Sequence, residues 1–211
     1  MEITWIGHSC FRLRGKEATV ITDPCSPSSG YALSRVTAEL VTVSNDHPNH
    51  SAAGDVGGEP MVVNGPGEYE VRGVLVTGVR TGPPRGLAGR ARNTAYIISV
   101  DDVTVCHLGD LTSLPTGEQI ELLKAADVLL VPVGGHCTIG AGEAVEVISQ
   151  IEPKMVIPMH YATEASTAEL DGVDRFLREM GLTAPEPQAR LNVTHSSLPP
   201  EPTVTLLQYR G

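Results

Sequence analysis

Two histidines stand three residues apart in Ser44-Asn45-Asp46-His47-Pro48-Asn49-His50, a stretch crowded with short oxygen-bearing side chains. That spacing lets both imidazoles face one point, and imidazole nitrogen suits zinc-, iron- and manganese-class ions. The apolar run Leu40 to Val43 before it reads as a strand, so the cluster lies on a strand-end loop able to aim several side chains together. Three more polar clusters follow predicted strands: His107-Leu108-Gly109-Asp110, Gly135-His136-Cys137 and His160-Tyr161. In layered α/β folds the carboxyl ends of strands share an edge, so Asp110 and His160 can converge with His47 and His50. These four are the candidate metal ligands. Among them only Asp110 carries a negative charge, which a single divalent ion and one hydroxide can balance and two ions cannot.

The elements that must carry these groups divide into two halves. Ile3 to Ile6, Cys10 to Leu13 and Ala18 to Thr22 are short apolar or alternating runs, and Leu40 to Val43, Met61 to Val63 and Val74 to Val79 continue the series. Gly65-Pro66-Gly67 reads as punctuation, and Arg80 to Arg92 as a Gly/Pro/Arg-rich loop without periodicity. Thr94 to Val100 and Val103 to Cys106 flank Asp101-Asp102, a hairpin signal. Helix then alternates with strand. Helices are expected over Gly117 to Ala126, Gly142 to Ile151 and Leu170 to Met180, the last ending at Gly181. Val128 to Val133 and Met155 to Met159 read as buried parallel strands, Ala184 to Pro202 as a surface excursion, and Val204 to Gln208 as a last strand. The pattern predicts an α/β protein with two packed sheets and outer helices, in one domain spanning 1–211.

Composition narrows the function. A formal charge of −10 argues against non-specific binding to nucleic acid or anionic membrane, leaving a small-molecule substrate or ligand as the expected partner and homo-oligomerisation open. The chain starts on a strand-like pattern and contains no run of membrane-spanning length, which predicts a cytoplasmic, soluble protein. The four cysteines form no C-x-x-C pair and read as free thiols. Cys137 has two readings: a thiolate favoured by the adjacent His136, or a small hydrophobe in a loop.

Thr4-Trp5-Ile6-Gly7-His8-Ser9, Thr22-Asp23-Pro24, Gly65-Pro66-Gly67-Glu68-Tyr69-Glu70, His107-Leu108-Gly109-Asp110 and Ile157-Pro158-Met159-His160-Tyr161 resemble the metallo-β-lactamase superfamily. The similarity is greatest to its branch of ascorbate-6-phosphate lactonase-like predicted metal-dependent hydrolases. The resemblance implies an αββα sandwich with a metal site at one edge between the sheets. It also implies a His-x-His-x-Asp-His signature, in which this chain has Asn45 for the first histidine and Asn49 for the aspartate. A further histidine implied in Thr81 to Arg92 is absent from that stretch.

The reading is a metal-dependent hydrolase with one zinc ion, iron or manganese being alternatives, acting on an ester, lactone or phosphoester. Asp110 and Asn49 are the candidate catalytic groups, with Asn49 or His47 available to hydrogen-bond the attacking water. The rival is a non-catalytic binding or structural module that has lost its dinuclear site and binds no metal. Asp23 is either a group orienting a ligand histidine or a turn aspartate before Pro24. His8, His107, His136 and Glu68 remain open as additional site groups.

Overall fold

The computed structural model describes residues 1–33, 35–82 and 92–209. Most of the loop expected over Arg80 to Arg92, at residues 83–91, lies outside them. One sheet contains β1 (Glu2–Gly7), β2 (Cys10–Arg14), β3 (Thr19–Thr22), β4 (Leu40–Thr42) and β5 (Met61–Val63). The second contains β6 (Gly67–Val71), β7 (Val74–Arg80), β8 (Thr94–Val100), β9 (Val103–His107), β10 (Val128–Pro132) and β11 (Met155–Met159). Two late strands close the outer edges: β12 (Leu191–Asn192) pairs with β1, and β13 (Thr203–Val204) pairs with β11. The orders are β12-β1-β2-β3-β4-β5 and β13-β11-β10-β9-β8-β7-β6. The helices are α1 (Pro48–Ser51), α2 (Gly117–Leu123), α3 (Ala141–Ile151) and α4 (Val173–Glu179).

Side chains from both sheets share one buried cluster, with Trp5, Phe11 and Leu13 of the first joining Tyr96, Ile98 and Val105 of the second. The architecture is therefore the expected αββα sandwich. A doubly wound protein would have one central sheet instead of this pair. Strands β10 and β11 are buried throughout and run parallel in register, Val128 opposite Met155, which accounts for their unbroken apolar sequences. Asp101 and Asp102 take φ values of 51° and 64°, the left-handed pair that a two-residue hairpin needs to match strand twist.

Several expectations were displaced; the last strand, expected over Val204 to Gln208, spans Thr203–Val204, and the helix expected over Gly117 to Ala126 ends at Leu123. The Gly65-Pro66-Gly67 region leads straight into β6, whose residues are exposed or half-buried because it is an edge strand paired only with β7. Helix α4 begins at Val173 rather than Leu170, since Gly172 occupies its N-cap in an extended conformation. Its end behaves as the sequence predicts: Gly181 (φ 67°) donates to the Arg178 carbonyl at 3.0 Å, and Leu182 donates to Leu177 at 2.9 Å.

Strands β1, β3 and β4 run in one direction, as do β9, β10 and β11 in the other sheet. Their carboxyl ends form one edge of the sandwich. There the His160 amide at the end of β11 donates to the His8 carbonyl after β1 at 3.1 Å, linking the two sheets. Left-handed backbone concentrates at the same edge, at His8 (φ 52°), Asp23 (φ 39°), His136 (φ 59°) and His160 (φ 54°). Such conformations cost energy and persist where surrounding structure over-determines them, commonly at functional sites. Among the described residues no helix is long and apolar enough to cross a membrane.

Candidate metal centre

His50 is the last buried group of the short turn α1, and its position is set from below by Asp23. The Asp23 carboxylate, fully buried after β3, accepts from the Ser44 amide at 2.7 Å, from the Ser44 hydroxyl, and from His50 Nδ1 at 2.7 Å. Donation through Nδ1 leaves the Nε2 lone pair free, and Nε2 faces Asp110 at 3.9 Å. A carboxylate behind a histidine fixes the ring tautomer and raises its basicity as a ligand, which resolves the two readings of Asp23 in favour of orientation. Burial pulls the His50 pKa down, but the Asp23 hydrogen bond and the Asp23 and Asp110 charges outweigh it and raise the pKa.

Asp110 is held in turn by two asparagines. Its amide donates to Asn93 Oδ1 at 2.9 Å, and its Oδ2 accepts from Asn45 Nδ2 at 2.9 Å. Its other oxygen, Oδ1, is buried without a hydrogen-bond partner among the described residues and lies 3.5 Å from His160 Nε2. Burial pushes the Asp110 pKa up against the pull of His50. Asn45, which stands where the signature has its first histidine, positions Asp110. Gly109 permits this loop: at φ 64°, an added Cβ would fall 2.4 Å from Ser44 Cβ and 2.5 Å from Asn93 Oδ1. Gly109→Ala is therefore expected to destabilise the fold by about 2 kcal/mol or more and to displace Asp110. Thermal unfolding and metal titration would check both effects; a variant matching the parent in each would contradict the packing described.

His8, one of the additional candidates in the sequence, lies inside the cluster. Donor atoms of His8, His50 and His160 all lie within 4.8 Å of one another, and all three residues are buried. The His8 ring centroid is 3.9 Å from that of His160 and 4.9 Å from that of His50. Trp5 Nε1 donates to the His8 carbonyl at 3.0 Å and so holds the turn. The signal for His8 was present in the Gly7-His8 turn, which follows β1 at the shared strand edge. Desolvation, then the His50 charge, lowers the His8 pKa to about 3, and burial together with His8 lowers that of His160. Both imidazoles therefore remain neutral, with lone pairs available to an ion.

The remaining candidates take other places. His47 is exposed, and its Nδ1 accepts from the Asn49 amide at 3.2 Å while capping α1. The Asn49 side-chain oxygen accepts from the hydroxyls of Ser26 and Ser28 at 3.4 Å each. Both residues line the cavity of about 300 Å³ over the cluster, with His8, His50, Asp110, Cys137 and His160, but neither joins the three-histidine group. His107 is buried and donates through Nε2 to the Ser9 carbonyl at 2.8 Å. His136 is half-exposed and 3.8 Å from Asp171; Glu68 and His195 are exposed. The thiol of Cys137 is pushed up by burial and by the Asp110 charge.

Three buried imidazoles, those of His8 and His160 neutral, beside a carboxylate oxygen without a partner among the described residues fit a zinc- or iron-type ion. They also make the metal-free protein acid-sensitive. The unfolded chain protonates His8 near the ordinary 6.5, whereas the fold resists until about pH 3, so stability present above pH 6.5 is lost as pH falls through that window. The loss from this residue is up to about 1.4 kcal/mol per pH unit. The raised His50 pKa opposes it only in sign of slope above pH 6.5, where that residue's contribution fades as pH rises. Chelator-treated protein should thus melt progressively lower from about pH 6.5 to about pH 4; a flat profile there would contradict the neutral-histidine assignment.

Residues 2–160 match the family described as the Beta-lactamase superfamily domain. A protein of Methanoculleus marisnigri named as a metal-dependent hydrolase is 30% identical over 190 residues, covering 77% of this chain and 82% of that one. A crystal structure from Thermotoga maritima, of a proposed Zn-dependent hydrolase of the metallo-β-lactamase superfamily, is 37% identical and covers 99% of each chain at a TM-score of 0.82. A proposed metal-dependent hydrolase from Parabacteroides distasonis, 18% identical with a TM-score of 0.66 over 98% of this chain and 93% of that one, shares the fold. Taken with the two-sheet sandwich and its histidine-bearing edge, these similarities place the chain in the metallo-β-lactamase superfamily.

Proposed function

We propose that the protein is a metal-dependent hydrolase with a mononuclear zinc- or iron-type centre acting on an ester, lactone or phosphoester. The observation that carries this reading is the meeting of His8, His50, His160 and the unpartnered Asp110 oxygen at an open cavity. When bound, the ion would supply a water of near-neutral pKa and polarise the oxygen of the attacked carbonyl or phosphoryl group. His50, His160 and Asp110 would hold it, and His8 would add a donor from the first sheet. Asp23 keeps His50 in the ligating tautomer, and Asn45 occupies one Asp110 oxygen so that the other stays directed at the site. His47 and Asn49 stand on the cavity wall, available to hydrogen-bond substrate or water.

A second cavity of about 150 Å³ is lined by Asn45, Asp46, Arg80 and Arg92 among others. Its two guanidinium groups favour an anionic portion of the substrate. The rival reading, a binding module without turnover, draws support from Asn45 and Asn49, whose amides are engaged within the protein. Assays of zinc- and iron-loaded protein on simple esters, lactones and phosphodiesters separate the two. Turnover that falls roughly 100-fold or more in Asp110→Asn supports the enzyme. Absence of both metal binding and turnover supports the module.

A further inference from the structure

We propose that the Cys137 sulfur is itself a metal ligand, giving the centre a thiolate alongside Asp110 and His160. The inference rests on the metal-centre reading above and adds a donor to it. Donor atoms of Asp110, Cys137 and His160 lie within 4.8 Å of one another, and Cys137 lines the same cavity as the histidine cluster.

The loop bearing Cys137 is built to keep the sulfur there. Gly135 (φ 64°) and His136 (φ 59°) turn the chain sharply after β10, leaving the His136 ring 44% exposed. Thr138 Oγ1 and the Ile139 amide both donate to the Leu111 carbonyl, at 2.6 and 2.8 Å. Leu111 directly follows Asp110, so the two loops are pinned together and the thiol and carboxylate keep a fixed relation.

An independent observation points to a ligand in that space. The His160 side chain is 1% exposed, its Nδ1 has no hydrogen-bond partner among the described residues, and the Asp110 Oδ1, 3.5 Å from its Nε2, has none either. Two residues with unpartnered buried polar atoms lining the same cavity as a sulfur are explained by an ion that all three would touch. Charge supports the same assignment. The signature carboxylate is Asn49 in this chain, with its amide oxygen turned to Ser26 and Ser28. On coordination the Cys137 thiol releases its proton to solvent and the sulfur–metal bond forms, so thiolate and Asp110 carboxylate together neutralise a divalent ion. Mixed imidazole, carboxylate and thiolate donors select zinc, iron or cobalt over magnesium, calcium or manganese.

Cobalt(II) titration of the full chain, followed by absorbance and by equilibrium dialysis, tests this. The parent should bind cobalt with a near-ultraviolet sulfur-to-metal charge-transfer band as well as visible ligand-field bands. In Cys137→Ala and Cys137→Ser the near-ultraviolet band should vanish and cobalt affinity should fall by roughly 10- to 100-fold, while far-ultraviolet circular dichroism stays that of the parent. Cys10, Cys25 and Cys106 remain in both variants, so a band that survives in them would overturn the assignment. Cobalt binding by the parent with visible bands alone, unchanged in either variant, would also overturn it while leaving the metal centre standing. A parent that binds no cobalt would overturn both.

Discussion

His160→Ala is expected to abolish tight metal binding. The residue is 1% exposed, ends a fully buried strand, and presents Nε2 3.5 Å from the unpartnered Asp110 oxygen. It is the one histidine common to both donor groups, with His8 and His50 on one side and Asp110 and Cys137 on the other. Structural zinc sites bind with roughly 10–16 kcal/mol shared among about four ligands, so losing one strong donor should cost several kcal/mol, or more than about 100-fold in affinity. Removing a ring from the buried edge also leaves a cavity, so folding should be followed by circular dichroism alongside the titration. His195→Ala, at an exposed turn, serves as the control and should bind metal as the parent does. An His160→Ala variant with parental affinity would remove this residue from the centre.

The second large effect is expected at Asp23. Three donors converge on its carboxylate, and alanine would leave the Ser44 amide and the His50 Nδ1–H buried without acceptors. Breaking a buried charged hydrogen-bond group in this way costs about 3–5 kcal/mol. Metal affinity should also drop by roughly 10- to 100-fold, because His50 loses the group that sets its tautomer. Burial pushes the Asp23 pKa up, yet His107 and the His50 hydrogen bond outweigh it and hold the group below the ordinary 3.8. Its contribution to stability is therefore present above pH 3.8 and lost as pH falls through the depressed value. Urea unfolding of Asp23→Ala beside the parent measures the first effect and metal titration the second. Equal unfolding midpoints would show that the network around His50 is not what holds this edge together.

The sandwich was legible because its strongest signals are physical necessities. Apolar runs such as Val128 to Val133 and Met155 to Met159 have one stable use in an α/β chain, and Gly181 marks a helix end that only a left-handed residue can make. Edges were harder to read. Strands β6 and β12 carry polar or half-exposed residues, so alternation within Gly67–Val71 and Leu191–Asn192 competes with nearby turn signals. At the site, strand-end position brought His50, Asp110 and His160 together as the sequence predicts, because parallel strands share a carboxyl edge. Two placements could not be read that way. His8 joins through a turn of the opposite sheet, and its approach depends on a backbone hydrogen bond 152 residues away in sequence, His160 to His8. Asn45 works through its amide nitrogen toward Asp110 and not through its oxygen toward a metal, a choice set by tertiary contact alone.

One ion should occupy the meeting point of His50, Asp110 and His160. An anomalous difference map, recorded at the absorption edge of the metal found in crystals of the protein, tests it directly. A single strong peak touching the His50 and His160 imidazoles and the Asp110 carboxylate is expected. A map with no peak there, or with two peaks of comparable height in the cavity, would contradict it.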